Sequence, residues 1–382
     1  MRTRLCDTFG IEFPIFAFSH CRDVVAAVSR AGGFGVLGAL AFTSEQLELE
    51  LKWIDAHVDG KPYGVDVVMP AKYEGKGGEI DGSKEALERM IPPAHREFVA
   101  KLLEAYEVPP LPEGEQTESL LGWTQGGGRS HVDVALKHPI KLLVNALGPP
   151  PKDVVDKAHA QGVKVAALVG TSAQARKQVE AGVDVIVAQG TEAGGHTGEV
   201  STMVLVPEVV DAVAPTPVLA AGGIGSGRQA AAALALGADG VWTGSIWLAV
   251  KESDSSPALI EKILAAKSTD TVRSRAISGK PARQLKTAWT EAWDKPTPGA
   301  LPMPLQFMLT ADATARIHRF ADKPGTRAKE LLGTAIGQIV GRMDAVRSSR
   351  EVIFDMVSEF VETVQRVDGL LPQDEAEKAD KK

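Results

Sequence analysis

Two glycine-rich turns and one histidine are the residues of this sequence best suited to chemistry. The first turn lies in Val218-Leu219-Ala220-Ala221-Gly222-Gly223-Ile224-Gly225-Ser226-Gly227-Arg228. There an apolar strand runs into paired glycines and a short turn opens a helix. Free backbone N–H groups and the positive end of a helix are thereby offered to an anion. The second turn, Leu236-Gly237-Ala238-Asp239-Gly240-Val241-Trp242-Thr243-Gly244-Ser245, ends the next strand in glycine and hydroxyl residues. Either segment alone is compatible with an ordinary tight connection. Together and in this order they read as a phosphate cradle of the kind formed by the last two strands of a (β/α)8 barrel. The histidine is His196, in Ala188-Gln189-Gly190-Thr191-Glu192-Ala193-Gly194-Gly195-His196-Thr197-Gly198. A lone histidine is more often structural than catalytic. This one stands in a glycine-rich loop after a strand, where a neutral imidazole can take a substrate proton near pH 7. Gln189 and Glu192 are placed to orient the loop or to touch a ligand.

These residues need strands that end together. Near-continuous apolar runs of the kind found in buried parallel strands occur at 15–18, 34–37, 63–69, 140–146, 164–169, 183–189, 217–223 and 240–245. Helical patterns lie between them at 22–31, 44–57, 151–161, 172–181, 226–236 and 256–266. Ser172, Asp153 and Ser226 read as N-terminal caps, with Gly182, Gly162 and Gly237 just past the ends. Eight alternating units predict an α/β fold, a TIM barrel over residues 1–270. One connection is too long for a plain βα loop. Residues 70–138 follow the third strand and carry a Gly- and Lys-rich stretch (75–84), helical stretches (84–90 and 95–105), a Pro-rich bend (109–112) and Gly126-Gly127-Gly128. An insertion there belongs on the active face, either as a lid or pocket wall or as a decorative excursion. A C-terminal helical region follows over 271–370, with its helices from about 311 to 367, packing on the barrel or on a second subunit of a homodimer. Residues 371–382 are a charged, flexible tail.

The chain has 382 residues, 44% of them hydrophobic, enough for a large core. A net charge of −7 repels phosphate backbones and argues against a nucleic-acid partner. Its two cysteines, Cys6 and Cys21, have no paired C-x-x-C spacing, which argues for a reducing compartment and against zinc or iron–sulfur sites. With no apolar run of membrane length and no apolar leader at the N-terminus, the expected address is cytoplasmic.

The segments 189–198, 220–228 and 236–245 resemble the nitronate monooxygenase family, formerly called 2-nitropropane dioxygenases. They also look like the FMN-dependent enoyl-ACP reductases and NAD(P)H:quinone reductases. Ile11-Glu12-Phe13-Pro14-Ile15 and Ala26-Ala27-Val28-Ser29-Arg30-Ala31-Gly32-Gly33-Phe34-Gly35 extend the resemblance to the N-terminus; Pro302-Met303-Pro304-Leu305-Gln306 and Gly337-Gln338 resemble the family's tail more loosely. The set is specific for the superfamily and not for a substrate. The resemblance implies a flavoprotein oxidoreductase with one FMN. Its phosphate would lie on Gly222, Gly223, Gly244 and Ser245, and its ring near Ala17, Phe18, Gln189, Gly190 and Gly195. His196 aligns with the family's active-site histidine, as base toward a nitroalkane or as hydrogen-bond partner to nitronate oxygens. The partners implied are a small-molecule nitronate and O2, with NAD(P)H for the reductase relatives.

Two departures from the family pattern stand out. Ala17-Phe18-Ser19-His20 occupies the place of Ala-Pro-Met, and Asp66 the place where an Asn is frequent. An Asn can donate to flavin acceptor atoms, whereas an ionised Asp only accepts. Asp66 therefore either binds the cofactor differently, stays protonated or tunes its redox behaviour. His20 is a candidate substrate contact over the flavin, or else a solvent-facing residue before a helix. The competing enzyme reading is an NAD(P)H-dependent flavin reductase acting on an enoyl or acyl thioester or a quinone. The competing non-enzyme reading is a flavin-binding protein without turnover. An IMP dehydrogenase-like barrel needs a cysteine nucleophile on the active face, and none follows Cys21. Arg283 and Lys286 read as a solvated basic face or as a site for an anionic substrate tail. Trp289 and Trp293 read as a core or interface stripe.

Overall fold

The computed structural model describes residues 1–69, 84–115 and 125–371. Its strands are β1 (Ile15–Ser19), β2 (Phe34–Gly38), β3 (Tyr63–Val67), β4 (Leu142–Asn145), β5 (Lys164–Val169), β6 (Val185–Gln189), β7 (Gly195–His196), β8 (Val218–Ala221), β9 (Gly240–Thr243), β10 (Thr271–Ser274) and β11 (Ala282–Leu285). Strands β1 to β6, β8 and β9 close into one barrel, every adjacent pair parallel, with β9 returning to β1. The fold is the (β/α)8 barrel that the alternation predicts. Alternate side chains divide the strands into two layers. Phe16, Phe34, Val36, Leu142, Val144, Val187, Leu219 and Trp242 fill the interior. Ile15, Ala17, Leu37, Val65, Val67, Leu143 and Ile186 face the helices. The barrel floor is closed by helix Arg4–Phe9, which the sequence reading does not anticipate. Phe9 stands edge-on to Phe34 at 5.0 Å, and Arg4 pairs with Asp239 ahead of β9.

Two of the three expected caps move. Thr171, not Ser172, caps helix Ser172–Glu180, its side chain accepting from Gln174 N. Helix Lys152–Ala160 starts after Pro151, with Asp153 inside its first turn, where the helix dipole favours a negative charge. Ser226 caps Gly227–Ala235 as expected, and Gly162, Gly182 and Gly237 take positive φ past their helix ends. Helix Thr202–Val213, between β7 and β8, is an element the sequence reading omits.

The segment after β3 has two separate roles. Helix Gln125–Ala135 packs on β3 and on helix Ser44–His57, so it is the third helix of the barrel's own ring. Helices Lys84–Arg89 and Pro93–Ala105 pack instead on Leu305–Phe320. Val99 and Leu103 share a second core there with Trp289, Trp293, Leu309 and Ile317. Nearly all of the Gly- and Lys-rich stretch 75–84 and the charged tail lie outside the described residues.

The C-terminal region departs from an all-helical reading. It opens with the antiparallel hairpin β10–β11, to which β7 adds a third strand. The helical run expected over 311–367 is broken into Leu305–Phe320, Ala328–Leu331, a 3₁₀ turn at Gln338–Arg342 and Ser349–Asp368. Pro324-Gly325, Gly333 and Gly337 fall at the breaks, as helix breakers should. The last helix packs on the barrel: a Cβ on Gly227 would lie 2.0 Å from Met356 O.

Candidate active site

At the carboxyl ends of the strands, the loop after β6 is stitched to the loop after β8. Gly190 N donates to Ala221 O at 2.9 Å. The Glu192 carboxylate accepts from Thr202 N at 3.0 Å and from the Thr202 hydroxyl at 2.9 Å, and that hydroxyl also lies 3.0 Å from Gly222 O. The seam leaves no space for a side chain, since a Cβ on Gly190 would stand 2.1 Å from Thr202 Oγ1. Gly222 and Gly223 then take φ of 107° and 67°, which turns the chain out of β8.

Two runs of backbone amides follow the paired ends of β8 and β9. Among the described residues, the N–H groups of Gly223, Ile224, Gly244 and Ser245 donate to no protein acceptor. A Cβ on Gly244 would meet nothing within 4 Å, so the chain is open there. Ser245 Oγ accepts from Gly337 N at 2.8 Å, leaving its O–H to donate. The two turns named from the sequence therefore keep open donors, whereas the helix end named with them does not. The N-terminus of helix Gly227–Ala235 is already used: Gln229 Oε1 accepts from Gly225 N, Ser226 Oγ from Gln229 N, and Glu359 from Gly227 N at 2.9 Å. Gly223, Ile224, Gly244 and Ser245 fit a phosphate, with open donors on two neighbouring turns and no competing carboxylate bonded to them.

His196 is held on β7 opposite Ala282 of β11. Its Nε2 lies 2.7 Å from Ser278 Oγ, which also accepts from Lys280 N. Burial, and secondarily the Lys280 ammonium, pushes the imidazole's pKa below its ordinary value. The ring is therefore neutral at neutral pH, the form a base requires. Arg283 corrects the basic-face reading. It is buried, its Nε donating to Thr191 O and its Nη1 to Thr271 Oγ1, so it pins the histidine loop to the hairpin. Lys286 is exposed beside Glu291. Trp289 and Trp293 are core residues, with ring centroids 6.0 Å apart.

The remaining predicted residues divide. Phe18 points inward above Phe16, its ring 6.3 Å from Trp242, and is half-buried at the mouth. The Ala17 side chain faces the opposite way, into the helix layer, and is 0% exposed. Gln189 ends the inward face of β6, and Gly195 sits beside His196 with open space around its α-carbon. His20 is solvent-accessible yet encircled by protein, as a residue lining a concave opening is. Desolvation lowers its pKa, and its Nδ1 lies 2.9 Å from Gly38 O. A carbonyl only accepts, so Nδ1 carries the proton and Nε2 is left as the acceptor. Asp66 is inward-facing, buried and without a hydrogen-bond partner at Oδ1 among the described residues.

Sequence reasoning missed Ser278, Thr202 and Glu359. The first two are ordinary hydroxyl residues, and no spacing marks them. Glu359 acts from a helix 132 positions away from Gly227.

The closed parallel barrel, the unbonded amides at the ends of β8 and β9 and the neutral imidazole nearby are the features of a barrel enzyme. The family model for nitronate monooxygenase matches residues 2–359. A putative monooxygenase of Mycobacterium tuberculosis is 57% identical over 375 residues, 97% of this chain and 100% of that one. A probable nitronate monooxygenase of Staphylococcus aureus is 31% identical over 340 residues, 84% of this chain and 89% of that one. Among solved structures, the nitroalkane oxidase of Streptomyces ansochromogenes superposes with a TM-score of 0.77 at 26% identity, covering 95% of this chain and 99% of that one. FabK of Thermotoga maritima gives 0.71 at 28%, covering 97% and 100%. The chain belongs to the nitronate monooxygenase family and is an oxidoreductase, and the family is flavin-dependent. No helix among the described residues is long and apolar enough to cross a membrane.

Proposed function

We propose that this protein is an FMN-dependent nitronate monooxygenase acting on alkyl nitronates and O2, with His196 as its base. The observation that carries the reading is the set of four unbonded amides at Gly223, Ile224, Gly244 and Ser245, at the same barrel mouth as a neutral histidine. The amides and the Ser245 hydroxyl hold the phosphate, with Gly222 shaping the turn. Phe18, Gln189, Gly190 and Gly195 border the ring, and Asp66 contacts it from β3. When bound, the flavin would supply the redox chemistry between nitronate and O2. The protein's part is positioning and proton handling. The Ser278 hydroxyl holds Nε2 and fixes the imidazole plane. The ring's unprotonated nitrogen accepts the proton from the carbon beside a nitro group, or the ring donates to the nitronate oxygens. His20, with Nε2 toward the mouth, is a second polar contact for substrate. The described part of the segment after β3 serves as a wall, backing helix Leu305–Phe320; that helix in turn holds the Ser278 loop through Thr310 Oγ1 and Ile277 O. We place the protein in the cytosol, on the strength of two buried, unpaired thiols.

The test is the absorbance spectrum of the purified protein, followed by mixing with nitronates and separately with NADH or NADPH. A flavin spectrum and oxygen consumption with nitronates are expected. Fast NAD(P)H consumption with an acceptor and none with nitronates would move the assignment to the reductases. A colourless protein that refuses FMN would end the flavin reading.

A further inference from the structure

Asp66 is a buried acid whose Oδ1 no described residue uses. The structural aspartates of this chain are different. Asp184 accepts from Val165 N and from His159 and Lys164. Asp55 accepts from Tyr63 and His138. Asp66 is 4% exposed and its Oδ1 is bonded to nothing among the described residues. It is also the last inward-facing residue of β3, because Tyr63, Val65 and Val67 all face the outer core. Its side chain therefore points to the mouth and not into the helix layer.

The neighbours explain how an acid survives there. On one side Asp66 is in register with Gly38 of β2, on the other with Val144 of β4. Neither brings a charge. The space a Gly38 side chain would fill is taken by the rings of His20 and Phe18, whose atoms would lie 2.7 and 2.8 Å from such a Cβ. Desolvation by the surrounding protein lowers the His20 pKa, and its Nδ1 proton is given to Gly38 O. The 3₁₀ turn Ala39–Ala41, also packed on β3, carries no titratable group. The helices on the outer side of β3 bring Arg22, Asp23, Arg30, Arg129, His131 and Asp133. All lie on the face of the strand that Asp66 does not occupy. Among the described residues no cation is placed to hold an ionised Asp66, and burying an unpaired carboxylate is prohibitive. Burial accordingly pushes its pKa well above the ordinary value.

We propose that Asp66 stands at the mouth as a neutral carboxylic acid that donates its O–H to an acceptor atom on the ring of the bound flavin. The proposal rests on the flavin reading and deepens it. It states which proton this chain offers and why an ionised acid could not serve, since a carboxylate has nothing to donate.

Infrared spectroscopy of the apoprotein and FMN titration test it together. The carbonyl stretch of a protonated carboxyl is expected at neutral pH in the wild type and should be missing from Asp66→Asn. It should shift when FMN is added. Asp66→Asn, whose amide can still donate, should bind FMN within about twofold of wild type. Asp66→Ala should bind about fivefold more weakly. Absence of the protonated band, a band that FMN leaves unmoved, or wild-type affinity in Asp66→Ala would each overturn the proposal. If the wild type takes up no FMN at all, the flavin reading fails instead, and the apoprotein band still reports whether Asp66 is neutral.

Discussion

Gly244→Ala isolates the phosphate cradle from the rest of the molecule. A Cβ at this position meets nothing within 4 Å, and its φ of −131° is not in the left-handed region that calls for glycine. The apoprotein should therefore melt within about 0.5 kcal/mol of wild type. The methyl group enters the space beside the amides of Gly244 and Ser245, where the phosphate would have to sit. Each N–H bond to a charged acceptor contributes about 1.5–3 kcal/mol. Pushing the phosphate off two of them removes about 3 kcal/mol or more, on the order of a hundredfold in affinity. The assay is quenching of flavin fluorescence on titration with apoprotein, run with FMN and with riboflavin, which has the ring but no phosphate. Affinity for FMN should fall on the order of a hundredfold and affinity for riboflavin by less than about threefold. An intact Gly244→Ala protein with wild-type FMN affinity would refute the cradle. Equal losses for both ligands would mean the turn contacts the ring and not the phosphate.

Three further outcomes are expected. With a neutral nitroalkane as substrate, the rate should hold from neutral pH downward and fall only below pH 6.5, because burial depresses the His196 pKa and the ring must be unprotonated to act. His196→Asn should lose that limb and about a hundredfold or more in turnover while keeping FMN; a limb that survives the substitution removes His196 from the mechanism. Gly190→Ala places a Cβ 2.1 Å from Thr202 Oγ1 and 2.5 Å from Thr202 N, so the loop seam must open, at a cost of about 1–3 kcal/mol read by urea denaturation; unchanged stability would show that the seam is looser than its distances imply. Asp66→Asn should stabilise the apoprotein in a pH-dependent way. The raised folded-state pKa means the native state holds a proton that the unfolded chain releases above 3.8, so wild-type stability drops by about 1.4 kcal/mol per pH unit from there up to the folded-state value. The variant lacks that slope, and a gain equal at pH 4 and pH 7 would contradict the linkage.

The barrel was legible because burial on both faces leaves near-continuous apolar runs, and each strand run in the sequence overlaps one barrel strand. The errors fall where local pattern loses to tertiary demand. Thr171 took the cap from its neighbour Ser172 because the helix began one residue earlier, a difference no propensity registers. The hairpin β10–β11 was invisible because its strands are four residues each and exist to receive a two-residue strand at His196. The C-terminal run broke at prolines and glycines that a periodicity reading passes over.

The amino-acid sequence by itself determined the class of fold, the two glycine turns and the histidine loop, because those depend on contiguous residues and on backbone freedom. Tertiary structure alone decided which amides remain free to bind an anion, since Gln229 and the distant Glu359 occupy one helix end and leave the turn after β9 open. It also decided that the Ala17 side chain faces the helices, that Arg283 is buried, and that Asp66 Oδ1 has no partner among the described residues. Donor satisfaction and charge burial are properties of the space around a group, and that space is assembled from segments far apart in the chain.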